Sequence, residues 1–151
     1  MSRICYEAEQ NQNFEVKYNI KQSVMLEKDE TLSIEESMSN NAVSASYMLG
    51  AKLIILFSNT GEQAITVAKF FPQCPVLAVL SSESFSKNVQ LHSAIYFMTV
   101  GSQLGRESLI DTVKKEARDM KLVKKGDVVI ILTGMKDGLS SGNNWIQTDV
   151  I

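Results

Sequence analysis

Five consecutive apolar residues in the stretch KLIILFS, residues 52–58, constrain this chain more than any other feature. A strand with one wet face alternates apolar and polar side chains, whereas an uninterrupted apolar strand must be covered on both faces. VLAVLS at 76–81, AIYFMTV at 94–100 and the apolar end of LVKKGDVVIILTG at 122–134 supply three more strands. Helical patterns lie between them. Ala64, Val67, Ala68 and Phe71 form one stripe, which Pro72 and Pro75 punctuate, and ESFSKNVQL reads as a short helix. Residues 104–121 form a longer helix with Ile110, Val113, Ala117 and Met120 on one face. Strands alternating with helices predict a parallel sheet with right-handed crossovers and helices on both faces.

The last segment, NWIQTDVI, alternates like a half-exposed strand and follows a loop too short for a crossover helix, so it is expected antiparallel at an edge. Trp145 is expected to pack on that edge. Upstream, Ser33 and Glu36 form a capping box, Met38, Ala42, Ala45 and Leu49 recur at helical spacing, and Gly50 stops the helix. Residues 1–10 read as a short helix, and 11–32 as a long polar surface connection. The predicted fold class is α/β: three α/β/α layers around a mostly parallel five-stranded sheet, the last strand antiparallel at an edge.

Composition sets limits on partners. With 44% hydrophobic and 21% charged residues, the 151-residue chain suits one globular domain. A net charge of -2 gives no general attraction for nucleic acid or an anionic membrane, so any anion site must be built locally. No apolar stretch approaches the roughly 20 residues of a membrane span, and the opening MSRICYEAEQ lacks a secretory pattern, so the expected compartment is the cytoplasm. Cys5 and Cys74 lie far apart and, with the single His92, do not make an ordinary zinc site; both read as reduced packing residues.

Ligands of open parallel sheets bind at the carboxyl ends of strands, which directs attention to three loops: Ser58–Gly61, Ser81–Ser84 and Thr133–Asn144. The first has two readings. Its hydroxyls, its glycine and the amides of a helix start can cradle a phosphate. Alternatively, Thr60 and Gln63 are spaced as a capping box and Glu62 is an acid in a first helical turn, which makes the segment an ordinary helix start. The third loop, TGMKDGLSSGNN, carries Gly134, Gly138, Gly142, Ser140, Ser141 and Lys136; it is polar enough to close over a ligand, or simply to join two strands in water. His92 sits near a helix end, where capping is its ordinary role. Without a Ser-His-Asp order, a phosphate-binding Walker loop or paired metal carboxylates, the residues read as a binding or assembly module.

MSRICYEAE followed by a polar stretch, SNNAVSASYMLGAKLIILFSNTGEQAITVAKFFPQCPVLAVLSS, and LVKKGDVVIILTG with the terminal strand together resemble the C-terminal domain of pyruvate kinase over nearly the whole chain. The resemblance implies that residues 1–32 are the remnant of a preceding (β/α)8 barrel's last helix plus a connection, and that 33–151 are the C-terminal α/β domain. It implies a parent kinase of glycolysis that transfers phosphoryl from phosphoenolpyruvate to ADP with magnesium and potassium. It further implies that this parent would be a cytoplasmic homotetramer under allosteric regulation. The catalytic and metal-binding residues of the family belong to the barrel, so this chain alone is expected to be inactive, with the barrel and other subunits as its partners.

Also implied is a phosphorylated-metabolite effector site: a phosphate loop at Ser58, Asn59, Thr60, Gly61, Glu62 and Gln63, closed by Thr133 to Gly142 with Lys136, Gly138 and Gly142. Members that respond to fructose 1,6-bisphosphate carry basic residues near the positions of Asn59 and Glu62 and further cations beyond. Here Glu62 is acidic, Leu109 holds the equivalent helix position, Lys136 is the loop's cation and Arg106 stands one turn before Leu109. The family's HLYRG appears as His92-Ser93-Ala94-Ile95. Weak or absent bisphosphate binding is therefore expected, with a monophosphate the better ligand. The rival expectation is a free-standing sugar-phosphate-sensing protein of the same fold.

Overall fold

The computed structural model describes residues 13–27, 31–58, 61–80, 95–100, 106–133 and 145–151. In chain order they form α1 (Phe14–Glu27), α2 (Ile34–Leu49), β1 (Leu53–Ser58), α3 (Glu62–Ala68), β2 (Val76–Leu80), β3 (Ile95–Thr99), α4 (Arg106–Asp119), β4 (Val128–Thr133) and β5 (Trp145–Val150). One sheet has the order β3-β2-β1-β4-β5. Its first four strands are parallel, and β5 runs antiparallel to β4 at the edge, with Thr133 opposite Trp145 and Val128 opposite Val150.

The uninterrupted apolar runs explain the layering. All of β1 and β2 is buried, and successive side chains point to opposite faces. Ile54, Leu56, Val76, Ala78, Ile130 and Leu132 pack with Ala42 and Val43 of α2, Ala64 and Val67 of α3, and Met25 of α1. Leu53, Ile55, Leu77, Val79, Val129 and Ile131 pack on the other face with Ile110, Val113 and Ala117 of α4. These are the three α/β/α layers expected from the sequence.

Helix α2 begins as its sequence predicts. The Glu36 amide donates to Ser33 Oγ at 3.2 Å, the Ser33 amide donates back to Glu36 Oε2 at 3.4 Å, and Gly50 closes the helix at φ 61°, a left-handed value that favours glycine. Its buried face differs from the predicted stripe. Val43, Ser39 and Ser46 are buried with Ala42, while Leu49 is exposed. The two serines are tolerated there because their hydroxyls donate to the Glu35 and Val43 carbonyls at 2.8 and 2.7 Å.

Three further expectations change. Residues 14–27, read as connection, form a helix, with Tyr18 stacked on Tyr47 at 5.1 Å between ring centroids and Gln22 hydrogen-bonded to Asn40. Helix α3 ends at Ala68, so Phe71 is not on its stripe; Phe70 fills the core instead, and Phe71 takes φ 53° with its carbonyl accepting from Tyr47 Oη at 2.6 Å. Met120 lies past the end of α4 and is exposed. The predicted helices at 1–10 and in ESFSKNVQL lie outside the described residues.

Candidate functional site at the switch between β1 and β4

From β1 the chain adds β2 and then β3 on one side, and returns to add β4 on the other. The crevice above the carboxyl ends of β1 and β4 is thus the topological switch point, where open α/β sheets take their ligands. Ser58 ends β1 and Thr133 ends β4; the register Leu56 to Leu132 sets the two strand ends side by side, and both residues are buried. The loops singled out in the sequence, after Ser58 and after Thr133, leave from these two neighbouring ends.

The turn after β1 settles part of the ambiguity in its sequence. Ser58 Oγ accepts a hydrogen bond from the Gly61 amide at 3.1 Å. Gly61 stands at φ 76°, ψ -6° as the residue before α3 and makes no side-chain cap. A Cβ there would meet Leu80 Cδ2 and Phe97 Cε1 at 3.8 Å, ordinary contact, so the backbone angle rather than crowding calls for glycine. The predicted capping box is overturned: the helix starts at Glu62, Gln63 becomes its second residue, and a box would need its acceptor at the Gly61 position. The Gly61 amide, one of the donors offered for a phosphate, is engaged by Ser58. Glu62 is exposed in the first turn, as read from the sequence.

Of the proposed effector contacts, Ser58, Gly61 and Gln63 are thus placed at the switch point. Asn59, Thr60, Lys136, Gly138 and Gly142 lie outside the described residues, as do Ser81–Ser84, His92, Cys5 and the side chain of Arg106. Leu109 packs against the α4-side core and presents no polar group. Beside it, between α4 and β5, a groove of about 420 Å³ is lined by Glu107, Ile110, Asp111, Trp145, Gln147 and Asp149. Trp145 is 42% exposed at this edge. The Lys114 ammonium binds Asp149 and holds its carboxyl below the usual range, fastening α4 to β5. The carboxylates of Glu107 and Asp111, beside an Asp149 already paired with Lys114, make the groove unfavourable for an anion.

Cys74 is buried, and burial pushes its thiol up to about 11, consistent with a packing residue. Among the described residues, no group of three or more His, Cys, Asp or Glu side chains converges to hold a metal ion, and no helix is long and apolar enough to cross a membrane. Sequence reasoning did not anticipate the Ser58–Gly61 hydrogen bond, although a serine three residues before a glycine at a strand end is the signal for it.

Residues 36–147 match the family described as the pyruvate kinase alpha/beta domain. The chain is 26% identical over 151 residues to a pyruvate kinase of Eimeria tenella, spanning all of this chain and 28% of that protein. It is 31% identical over 148 residues to the pyruvate kinase of Dictyostelium discoideum, spanning 97% of this chain and 29% of that one. A crystal structure of a pyruvate kinase from Cryptosporidium parvum superposes with a TM-score of 0.86 at 22% identity, covering 99% of this chain and 28% of the other. The chain therefore spans under a third of the length of these relatives. Taken with the sheet order and the matched residues, these comparisons show that the chain belongs to the pyruvate kinase family, as its C-terminal α/β domain.

Proposed function

We propose that this domain regulates and assembles a pyruvate kinase and carries no catalysis of its own. The parent enzyme would transfer phosphoryl from phosphoenolpyruvate to ADP in glycolysis, in the cytoplasm, with magnesium and potassium held by a barrel domain outside these residues. Such transfer depends on positioned cations and metal ions. The observation that carries the regulatory reading is the switch point: Ser58 and Thr133 end adjacent strands, so the two loops of the expected effector site leave from one crevice. Ser58, Asn59, Thr60, Gly61 and Gln63 would hold one phosphate, and Lys136, Gly138 and Gly142 would close over it. The edge strand β5 supports the assembly reading, because its outer side pairs with no strand among the described residues and such an edge favours a second subunit. A homotetramer is the proposed whole. The relatives give the free-standing sensor no support, since each is a pyruvate kinase.

Two measurements test the reading. The 151-residue chain, supplied with phosphoenolpyruvate, ADP, magnesium and potassium, should give no pyruvate above background; turnover that survives repurification and scales with protein would overturn the non-catalytic assignment. Backbone NMR titrated with a sugar monophosphate should move the Ser58 and Gly61 amides saturably. Failure of every phosphate ester to perturb them removes the effector site.

A further inference from the structure

A second cavity of about 300 Å³ opens at the far end of α3, away from Gly61, between α1, α2 and the turn that follows α3. Its size is at the lower limit of small-molecule pockets. Met25 and Phe70, both buried, form an apolar base with the half-buried Leu32 and Phe71. Glu36 and Lys69 stand together at 3.3 Å, and Glu36 Oε2 also accepts from the Ser33 hydroxyl at 3.3 Å, so this acid is already matched. Lys21 lines the same cavity, is half-buried, and makes no ion pair or hydrogen bond with any described residue. Among the described residues that line the cavity, one cation is therefore unmatched beside an apolar base.

We propose that this cavity binds a small organic carboxylate with an apolar body, its anionic head on Lys21 and its hydrocarbon part on Met25, Leu32 and Phe70. A charge-assisted contact at a half-buried ammonium is stronger than a neutral one, and burial of the apolar body adds to it. An amine of the same shape would meet Lys21 as a like charge. A neutral alcohol would keep only the apolar contact. The site lies at the opposite end of α3 from the switch point and is independent of the effector reading.

The test is NMR on the full 151-residue chain, titrated separately with 3-phenylpropionate, 3-phenylpropan-1-ol and 3-phenylpropylamine. The carboxylate should shift the Met25 methyl and the Leu32 and Phe70 signals saturably, with affinity at least about fivefold above the alcohol's and the amine weakest. Lys21→Gln should lower carboxylate affinity to the alcohol's level without changing the alcohol's, and Lys21→Arg should retain it. Equal binding of all three probes, shifts confined to Ser58 and Gly61, or a carboxylate affinity untouched by Lys21→Gln would each overturn the proposal. If Lys21→Gln fails to fold, the ranking of the three probes on the unaltered chain still decides.

Discussion

Removing the Tyr47 hydroxyl should expose how the turn after α3 is held. Phe71 adopts φ 53°, a left-handed conformation that costs a side-chain-bearing residue about 1–2 kcal/mol, and Tyr47 Oη donates to its carbonyl at 2.6 Å. In Tyr47→Phe that carbonyl loses its donor. Because both residues are half-buried and water can partly replace the phenol, the cost should fall in the lower part of the range for an orphaned acceptor, about 1–2 kcal/mol. For a domain of this size that corresponds to a fall in Tm of about 2–8 °C. Burial, followed by the nearby Cys74, Glu15 and Tyr18, pushes the Tyr47 phenol up to about 12 from its ordinary 10. A group whose folded pKa is raised contributes stability that is complete below the unfolded pKa and is lost as pH rises through the folded one. The advantage of the unaltered protein over the Tyr47→Phe variant should therefore hold from about pH 8 to about pH 10 and shrink by about pH 12. Urea unfolding of both proteins across that range measures it, and the common effects of other tyrosines and lysines cancel in the difference. A gap that is absent at the low end of the range, or unchanged at the high end, would refute the reasoning.

Three other perturbations follow from single contacts. Ser33→Ala removes one acceptor of the capping box and should cost about 1 kcal/mol by chemical denaturation; a neutral result would mean that the box does not hold the start of α2. Phe70→Ala empties a fully buried site and should cost about 3–5 kcal/mol, far more than Phe71→Ala, and equal losses would contradict the assignment of Phe70 to the core. Glu62→Lys should raise affinity for fructose 1,6-bisphosphate by about tenfold or more in calorimetry at fixed ionic strength, since it replaces an acid of the first turn of α3 with a cation. Micromolar binding by the unaltered chain, or no gain in the variant, would show that the charge of this turn does not control the bisphosphate.

The strands were legible because β1, β2 and β4 are covered on both faces, and only a nearly continuous apolar sequence satisfies that requirement. Helix α1 was not. Its apolar residues serve two directions, Tyr18 and Met25 inward and Val16, Ile20 and Val24 toward solvent, so no single stripe marks it. After α3 the helical stripe points to Phe71 while the core takes its neighbour Phe70, because a left-handed phenylalanine carries no local signature comparable to a glycine. At the site, Ser58 and Gly61 could be picked out by type and position, but the spacing of Thr60 and Gln63 imitated a capping box that the backbone at Gly61 does not form. The side-by-side placement of Ser58 and Thr133 is a property of strand order, which emerges only when β4 returns past β2 and β3.

That return has a consequence for how the protein is made. A nascent chain leaving the ribosome can pair β1 with β2 soon after both have emerged, but Val129, the partner of Leu53 on the other side, follows only after β3 and α4 have been synthesised. Until then the central strand presents an open edge of unpaired backbone N–H and C=O groups flanked by the apolar side chains of Leu53–Phe57, the kind of surface that chaperones shield and that neighbouring nascent chains can capture. Slowed translation between β2 and β4 should lengthen that exposed interval, so the yield of folded protein should depend on synthesis speed more strongly here than in the stretch encoding α1 and α2.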